Sequence, residues 1–212
     1  MPCDLIAFTI SCLLLVIYYF YLSRRTRRIP DSSVQAVNAT IRNRWVKKIM
    51  SNCNMDILAI QTLRNSVMAA SFMATTAILL VIGVLNLSEK IGEWSHNLSP
   101  FLSLCISSSE LWQIKMGLLL LSFTIAFYNF AMAIRFFNHV GYMINLSNET
   151  LFDKDLYKQS CTYLNKAGSY YSFGTRTFFF SLPIILWFFG PSFLILGTLV
   201  LMISLTIIDK AP

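Results

Sequence analysis

Histidine, acidic residues and recognisable catalytic motifs are scarce in this sequence. It has two histidines and ten acidic residues among 212, and no group of His, Cys, Asp and Glu has the spacing of a metal site. His96 and His139 fall on opposite sides of the membrane in the topology that charge predicts, so they cannot share a metal. There is also no GxSxG, no GxxxxGK[ST] and no cysteine in a nucleophile signature. These absences predict a protein that is not an enzyme and that carries no metal or cofactor.

The five cysteines are scattered without CxxC spacing. A metal site or a disulfide framework is therefore not predicted. The predicted topology leaves only Cys3 and Cys105 on an oxidising side of the membrane. One alternative is a disulfide between these two cysteines. The simpler interpretation is that both are unpaired and serve as small apolar residues.

Apolar residues are abundant, at 56% of the chain. Soluble domains contain about 45–50% apolar residues, and here the excess is gathered in long runs. The predicted spans are residues 5–22, 66–87, 114–134, 172–189 and 191–208. With no linker, internal repeat or low-complexity tract, residues 1–212 are predicted to form a single membrane domain. The predicted fold is an all-α, polytopic transmembrane helix bundle with four or five spans.

The number of spans depends on the last apolar run, residues 178–208. As one straight helix this run would be about 46 Å long, well over the roughly 30 Å of a hydrocarbon core. Gly190 and Pro191, in its middle, are the residues expected at a helix stop and at a following helix start. Two crossings joined by a tight turn are therefore favoured over one tilted helix kinked at Pro183 and Pro191.

Lys and Arg residues are distributed unevenly among the predicted loops. The first loop (23–65) contains nine and the third (135–177) contains five, whereas the second contains one, or two with Lys115, and the N-terminal segment none. By the positive-inside rule the N-terminus is outside and the first and third loops are cytoplasmic. We expect Lys115, at an outer membrane boundary, to snorkel.

This distribution also accounts for the net charge of +7. No nucleic-acid partner is predicted, because no recognition motif accompanies the basic residues. The predicted location is the cell membrane, which would be the inner membrane in a bacterium. Five spans would place the C-terminus inside, and four would place it outside.

The long cytoplasmic loop contains an amphipathic pattern over residues 32–50. Its apolar residues recur at helical spacing and its basic residues occupy other faces; the apolar set is Val34, Val37, Ile41, Trp45 and Ile49. The simplest interpretation is a helix that lies in the membrane interface, with its apolar face in lipid and its charges near anionic headgroups. The same pattern would also dock onto a partner helix.

Polar residues mark the predicted cytoplasmic ends of three spans. They are Gln61, Arg64 and Asn65; Arg135, Asn138 and His139; and Arg176. Charges at membrane depth pair or line a cavity, so one hypothesis is that these residues form a shared polar cluster that binds an anion or a lipid headgroup. The simpler interpretation is that each arginine marks the membrane boundary and snorkels. No acidic residue within the spans is available to pair with them, so a ligand, a lipid, Asp56 or a carbonyl would supply the counter-charge.

Small residues at Ser66, Ala70 and Ala74 form a small-xxx-small ladder on the second span. Such a ladder lets another helix approach closely. Packing within the chain is the simpler interpretation, and packing between protomers is the alternative.

Four stretches of the sequence are informative together: NRWVKKIM, LAIQTLRNSVMAAS, the step RFFNH and FGTRTFFFSLPIILWFFGP. In these stretches the chain resembles the uncharacterised membrane-protein family catalogued as domain of unknown function 599. The resemblance covers most of the chain from Arg42 to the C-terminus. It implies a small integral membrane protein of the kind found in bacteria and plants, and it implies no activity, ligand or catalytic residue.

Three classes of function remain, and two are predicted as alternatives because the third, a membrane enzyme, lacks any motif here. The first is a non-enzymatic, homo-oligomeric channel or transport-like protein with a basic cytoplasmic vestibule. The second is an accessory or assembly subunit of a larger membrane complex. The predicted partners are the lipid bilayer with its anionic headgroups, and either copies of this chain or other membrane subunits.

Overall fold

The computed structural model describes residues 2–28, 34–51, 55–89, 109–146 and 154–209. These residues form six helices: α1 (Pro2–Arg28), α2 (Val34–Met50), α3 (Asp56–Glu89), α4 (Ser109–Leu146), α5 (Lys154–Trp187) and α6 (Pro191–Ile208). Helices suit such apolar runs, because each one satisfies its backbone polar groups internally where no water is available. The predicted all-α fold is confirmed. Cys105, and with it the open question of a disulfide, lies outside the described residues.

Four of the helices contain stretches that are long and apolar enough to cross a bilayer. These are Cys3–Phe20, Ile57–Ser88, Leu111–Leu146 and Pro191–Ile208, and they correspond to four of the five predicted spans. The second and third contain 32 and 36 residues, or about 48 and 54 Å of helix, which exceeds a hydrocarbon core. The chain is a membrane-spanning helical protein, and α3 and α4 are longer than the membrane requires.

The last apolar run forms two helices and not one kinked helix. α5 ends at Trp187 and α6 begins at Pro191. Between them, Gly190 has φ 147° and ψ 163°, a backbone conformation that is essentially restricted to glycine. Pro191 fits the first helical position because the missing N–H has no partner to lose there.

α6 returns antiparallel along the second half of α5. A Cβ on Gly197 would lie 2.7 Å from Leu186 and 3.3 Å from Pro183, and further along Leu205 packs in one cluster with Phe179. Residues 172–189, the remaining predicted span, therefore lie beside α6. They are not among the four stretches that are long and apolar enough to cross a bilayer. We call the end of the bundle that contains Gly190 the turn end.

The helices pack chiefly in the order α3, α4, α5, α6, α1, each against its neighbour in this row. Small residues permit the contact between α3 and α4. Ala70 and Ala74 are buried, and Ala74 packs with Ala126 and Phe130 of α4. Ser66 is half-buried. Ala70 and Ala74 of the ladder are thus covered by helices of the same chain.

α2 packs on α5 and belongs to a separate apolar core with parts of α3, α4 and α5. Its Val46 and Ile49 join Leu63, Val140 and Leu164 there. We call α2 and the parts of α3, α4 and α5 that share this core the head, and this end of the molecule the head end.

The docking of α2 shows which part of its amphipathic pattern lies on protein. Val46 and Ile49 are 0% and 2% exposed because other helices cover them, so at these residues α2 docks onto helices of the same chain. Ile41, another residue of the predicted apolar set, is 56% exposed, and the placement of this part of the helix in the membrane interface stays a prediction. The opposite face carries the exposed basic residues Arg44, Lys47 and Lys48.

Candidate functional site

A buried ion pair at the turn end joins three helices. Lys115 Nζ on α4 lies 3.3 Å from Asp4 Oδ1 on α1 and donates a hydrogen bond of 3.2 Å to the backbone carbonyl of Trp187 on α5. Trp187 Nε1 donates to Asp4 Oδ1 at 2.9 Å, and the ammonium lies 4.9 Å from the centroid of the Trp187 ring. Asp4 and Lys115 are 1% and 3% exposed. The expectation that Lys115 snorkels was wrong, because a carboxylate is within reach.

A second ion pair lies at the head end. Arg176 on α5 donates to Asp209 Oδ1, just past the end of α6. The Tyr18 hydroxyl on α1 donates to the other carboxylate oxygen, Oδ2, at 2.8 Å. This pair corrects the expectation that a ligand, a lipid, Asp56 or a carbonyl supplies the counter-charge, since Asp209 supplies it for Arg176. Asp209 lies beyond the last span in sequence, and the return of α6 along α5 brings it back to Arg176.

Beside this second pair a chamber of about 510 Å³ lies between α2 and the bundle. Its volume falls in the range of small-molecule sites, about 300–1,000 Å³. Side chains of α2, α3, α5 and α6 form most of its walls. The polar ones include Gln35, Asn38, Arg42, Ser172, Arg176 and Asp209, and the apolar ones include Ile41, Trp45, Phe179 and Leu205. We call this cavity the head-end chamber.

Arg42 is a half-buried cation in the chamber wall. Its Nε donates to Asn165 Oδ1 at 3.0 Å, and Asn165 Nδ2 in turn donates to Asn43 Oδ1 at 2.8 Å. The guanidinium packs over Gly168, where a Cβ would lie 2.7 Å from Arg42 Cζ. Glycine at position 168 therefore makes room for the Arg42 head.

The charge of Arg42 is not balanced by a carboxylate within the part of the chain that the structure describes. Burial lowers the pKa of its guanidinium from the usual value, yet arginine stays protonated at neutral pH. The charged residues that line the chamber are Arg42, Arg176 and Asp209. Because Asp209 neutralises Arg176, the described walls of the chamber retain one positive charge, and a half-buried charge of this kind favours an anionic partner.

The polar residues predicted to form one cluster lie in three places. Gln61, Arg64 and Asn65 are exposed on α3. Arg135, Asn138 and His139 line a groove of about 350 Å³ on α4 together with Tyr142. Arg176 lines the head-end chamber, and the side chain of Asp56 lies outside what the structure describes.

Several residues of these sites were not predicted from the sequence, among them Asp4, Arg42 and Asp209. Asp4 could have been recognised in the sequence, since it is an acidic residue in the first turn of an apolar helix. Arg42 is one of several basic residues in the amphipathic pattern of residues 32–50, and its position over Gly168 has no sequence signature. No three His, Cys, Asp or Glu residues of the described segments are close enough to hold a metal ion.

Buried hydroxyl and amide groups between the two ion pairs mostly bond to helix carbonyls. Ser122 Oγ donates to the carbonyl of Thr177 at 3.1 Å, Asn129 Nδ2 to that of Ile125 at 2.7 Å, and Thr198 Oγ1 to that of Leu194 at 2.7 Å. These three groups therefore have partners within the protein, whereas Ser11 Oγ on α1 is buried without a hydrogen-bond partner among the described residues.

Comparisons with known proteins identify a family. No curated protein and no solved structure matches the chain. A family model described as "Protein of unknown function, DUF599" matches residues 6–211, a range that includes Lys115, Arg176, Asp209 and the walls of the chamber. The resemblance seen in the sequence is thus confirmed, and this chain belongs to the DUF599 family.

Proposed function

We propose that this protein is a non-enzymatic, transport-like membrane protein that binds the anionic head of an amphiphile in the head-end chamber. The observation that carries this proposal is the half-buried Arg42, whose charge no carboxylate balances in the described structure. A cation held in that way is stabilised by an anion, because a buried charge is unfavourable unless it is paired. Asn165 and Gly168 fix the position of its guanidinium before any ligand arrives.

The walls of the chamber favour an amphiphile over a small inorganic anion. Trp45, Phe179 and Leu205 present apolar surface beside the two arginines. An apolar tail would cover that surface while the charged head meets Arg42. A site with mostly apolar walls and a few convergent polar groups is typical of small-molecule binding.

The packing of α6 on α5 supports five crossings. If α6 spans the bilayer, the part of α5 from Arg176 to Trp187 lies at the same depth. Five crossings and the positive-inside rule then put the N-terminus outside and the head in the cytoplasm of the cell. The chamber would open at the cytoplasmic leaflet, where anionic lipids give the surface a negative potential.

Self-association is a further part of this proposal, with a subunit role in a larger complex as the alternative. α1 and α3 lie at the two edges of the helix row, and large apolar side chains on both are exposed, among them Leu13, Val16, Phe72 and Leu79. Native mass spectrometry of gently solubilised protein from its own host tests this. One fixed number of copies would support a homo-oligomer, and co-purified foreign subunits would support the subunit role.

Arg42→Gln tests the chamber. Wild-type protein in detergent is titrated with dihexanoyl phosphatidylglycerol, a short-chain phosphodiester lipid, by isothermal titration calorimetry. Since a charge-assisted hydrogen bond contributes about 1.5–3 kcal/mol, we expect Arg42→Gln to weaken binding by at least about tenfold. Arg44→Gln is the matched control, because Arg44 is exposed on the same helix. Equal affinity of all three proteins would contradict the proposal.

A further inference from the structure

We propose that Asp209 is a specificity-determining residue of the head-end chamber, which selects an amphiphile head with one negative charge over a head with two. This inference rests on the proposed function. It names the class of ligand head as a phosphodiester or a carboxylate, in preference to a phosphomonoester.

The first step concerns the position of Asp209. It lines the same chamber as Arg42 and Arg176, and its carboxylate forms an ion pair with Arg176. The protein thus places its own anion on one of the two arginines. Among the described residues of the chamber, a ligand head that enters has one uncompensated cation available, at Arg42.

The second step concerns how firmly Asp209 is held. Its Oδ1 accepts from Arg176 on α5 and its Oδ2 accepts from the Tyr18 hydroxyl on α1. If Arg176 turned toward a ligand, the hydrogen bond from Tyr18 would still hold the Asp209 carboxylate in place. The carboxylate therefore remains in the chamber while the head of the ligand binds.

The third step compares the charges of candidate heads. A phosphodiester or a carboxylate carries one negative charge at neutral pH and matches the single positive charge that the chamber retains. A phosphomonoester carries about −1.5 to −2, because its second pKa is near 6. Its additional charge would face the Asp209 carboxylate, and placing like charges together is a common way to reject a wrong ligand.

The experiment measures a ratio of affinities in wild-type protein and in Asp209→Asn. Dihexanoyl phosphatidylglycerol is the phosphodiester probe and dihexanoyl phosphatidic acid is the phosphomonoester probe, both below their micelle-forming concentrations. We expect wild type to prefer the phosphodiester by about tenfold, and Asp209→Asn to lose or reverse that preference, since one like-charge contact is removed. Asp155→Asn, on the exposed part of α5, is the matched control and should keep the wild-type ratio.

Tyr18→Phe separates charge from structure. It loosens the hold on Asp209 but keeps the carboxylate, so the ratio of affinities should stay that of wild type. If Tyr18→Phe changes the ratio as much as Asp209→Asn does, the effect comes from packing and the inference is overturned.

Two further outcomes separate this inference from the proposed function. An unchanged ratio in Asp209→Asn, together with lost binding in Arg42→Gln, overturns the role of Asp209 and leaves the chamber site standing. Inorganic phosphate is titrated in parallel. If it binds as tightly as the lipids and responds to Asp209→Asn in the same way, charge selection is supported but the source of the ligand is the free anion, and the amphiphile is overturned.

Discussion

The two ion pairs at opposite ends of the bundle have the same chemistry and different surroundings. At the turn end the side chains of Lys115 and Asp4 are 4% and 2% exposed, and Trp187 supplies a donor, an acceptor and a ring face to them. At the head end the side chains of Arg176 and Asp209 are 19% and 9% exposed, and both line the head-end chamber. The enclosed pair holds three helices together, whereas a pair on a cavity wall can also meet a ligand.

α1 connects the two pairs. Asp4 and Tyr18 are both buried on it and stand fourteen residues apart, which is about 21 Å along a helix. The same helix is therefore fixed at the turn end by a charge and at the head end by a neutral hydroxyl. Loss of the first contact should destabilise the whole bundle, and loss of the second should have a local effect.

Lys115→Met should have the largest effect on stability. It removes the cation and leaves the Asp4 carboxylate buried with Trp187 Nε1 as its remaining donor, a change that typically destabilises by about 3–5 kcal/mol. The measurement is unfolding in mixed micelles with increasing denaturing detergent. The double variant Asp4→Asn/Lys115→Met, which has no buried charge, should regain most of the loss. A wild-type transition in Lys115→Met would mean that the turn-end pair is not the clamp described here.

Gly190→Ala should have the next largest effect, because the turn sets the position of Trp187 and the return of α6. Its φ of 147° is a conformation that costs a residue with a Cβ about 1–3 kcal/mol. The same unfolding series measures the loss. Gly117→Ala is the matched control, since nothing lies within 4 Å of the Cβ it would add, and it should not lower stability. A neutral result for Gly190→Ala would show that the turn relaxes without strain.

The turn at Gly190 and the two ion pairs show what could and what could not be predicted from sequence. The apolar runs and the Gly190-Pro191 break predicted the helices and the hairpin, because bilayer thickness and backbone chemistry act locally. The two ion pairs were not predicted, since Asp4 and Lys115 are far apart in the chain and only the packing of α1 brings them together. The docking of α2 was ambiguous for a different reason: an apolar helix face is the same in sequence whether lipid or protein covers it.

Gly168→Ala sharpens the comparison at the head end, where ligand binding and not stability should change. The added methyl group would meet the Arg42 guanidinium, which sits at the end of a flexible side chain and can move away. We expect the affinity for dihexanoyl phosphatidylglycerol to fall by about tenfold, or about 1.4 kcal/mol, with unfolding almost unchanged. Gly141→Ala is the control in the head, because its Cβ would make only an ordinary contact of 3.9 Å with Leu63. Unchanged affinity in Gly168→Ala would show that Arg42 does not bind the head of the ligand.

Tyr18→Phe should have the smallest effect and completes the comparison. It removes one neutral donor from Asp209 Oδ2 and leaves the ion pair with Arg176 intact, so the expected loss of stability is about 1 kcal/mol. Tyr142→Phe, at an exposed position, controls for the loss of a hydroxyl and should be neutral. The size of the Tyr18→Phe effect relative to Lys115→Met measures how unequally the two ends hold α1. If the two losses were equal, α1 would be held as firmly at the chamber as at the turn end, and the head-end pair would be a second clamp.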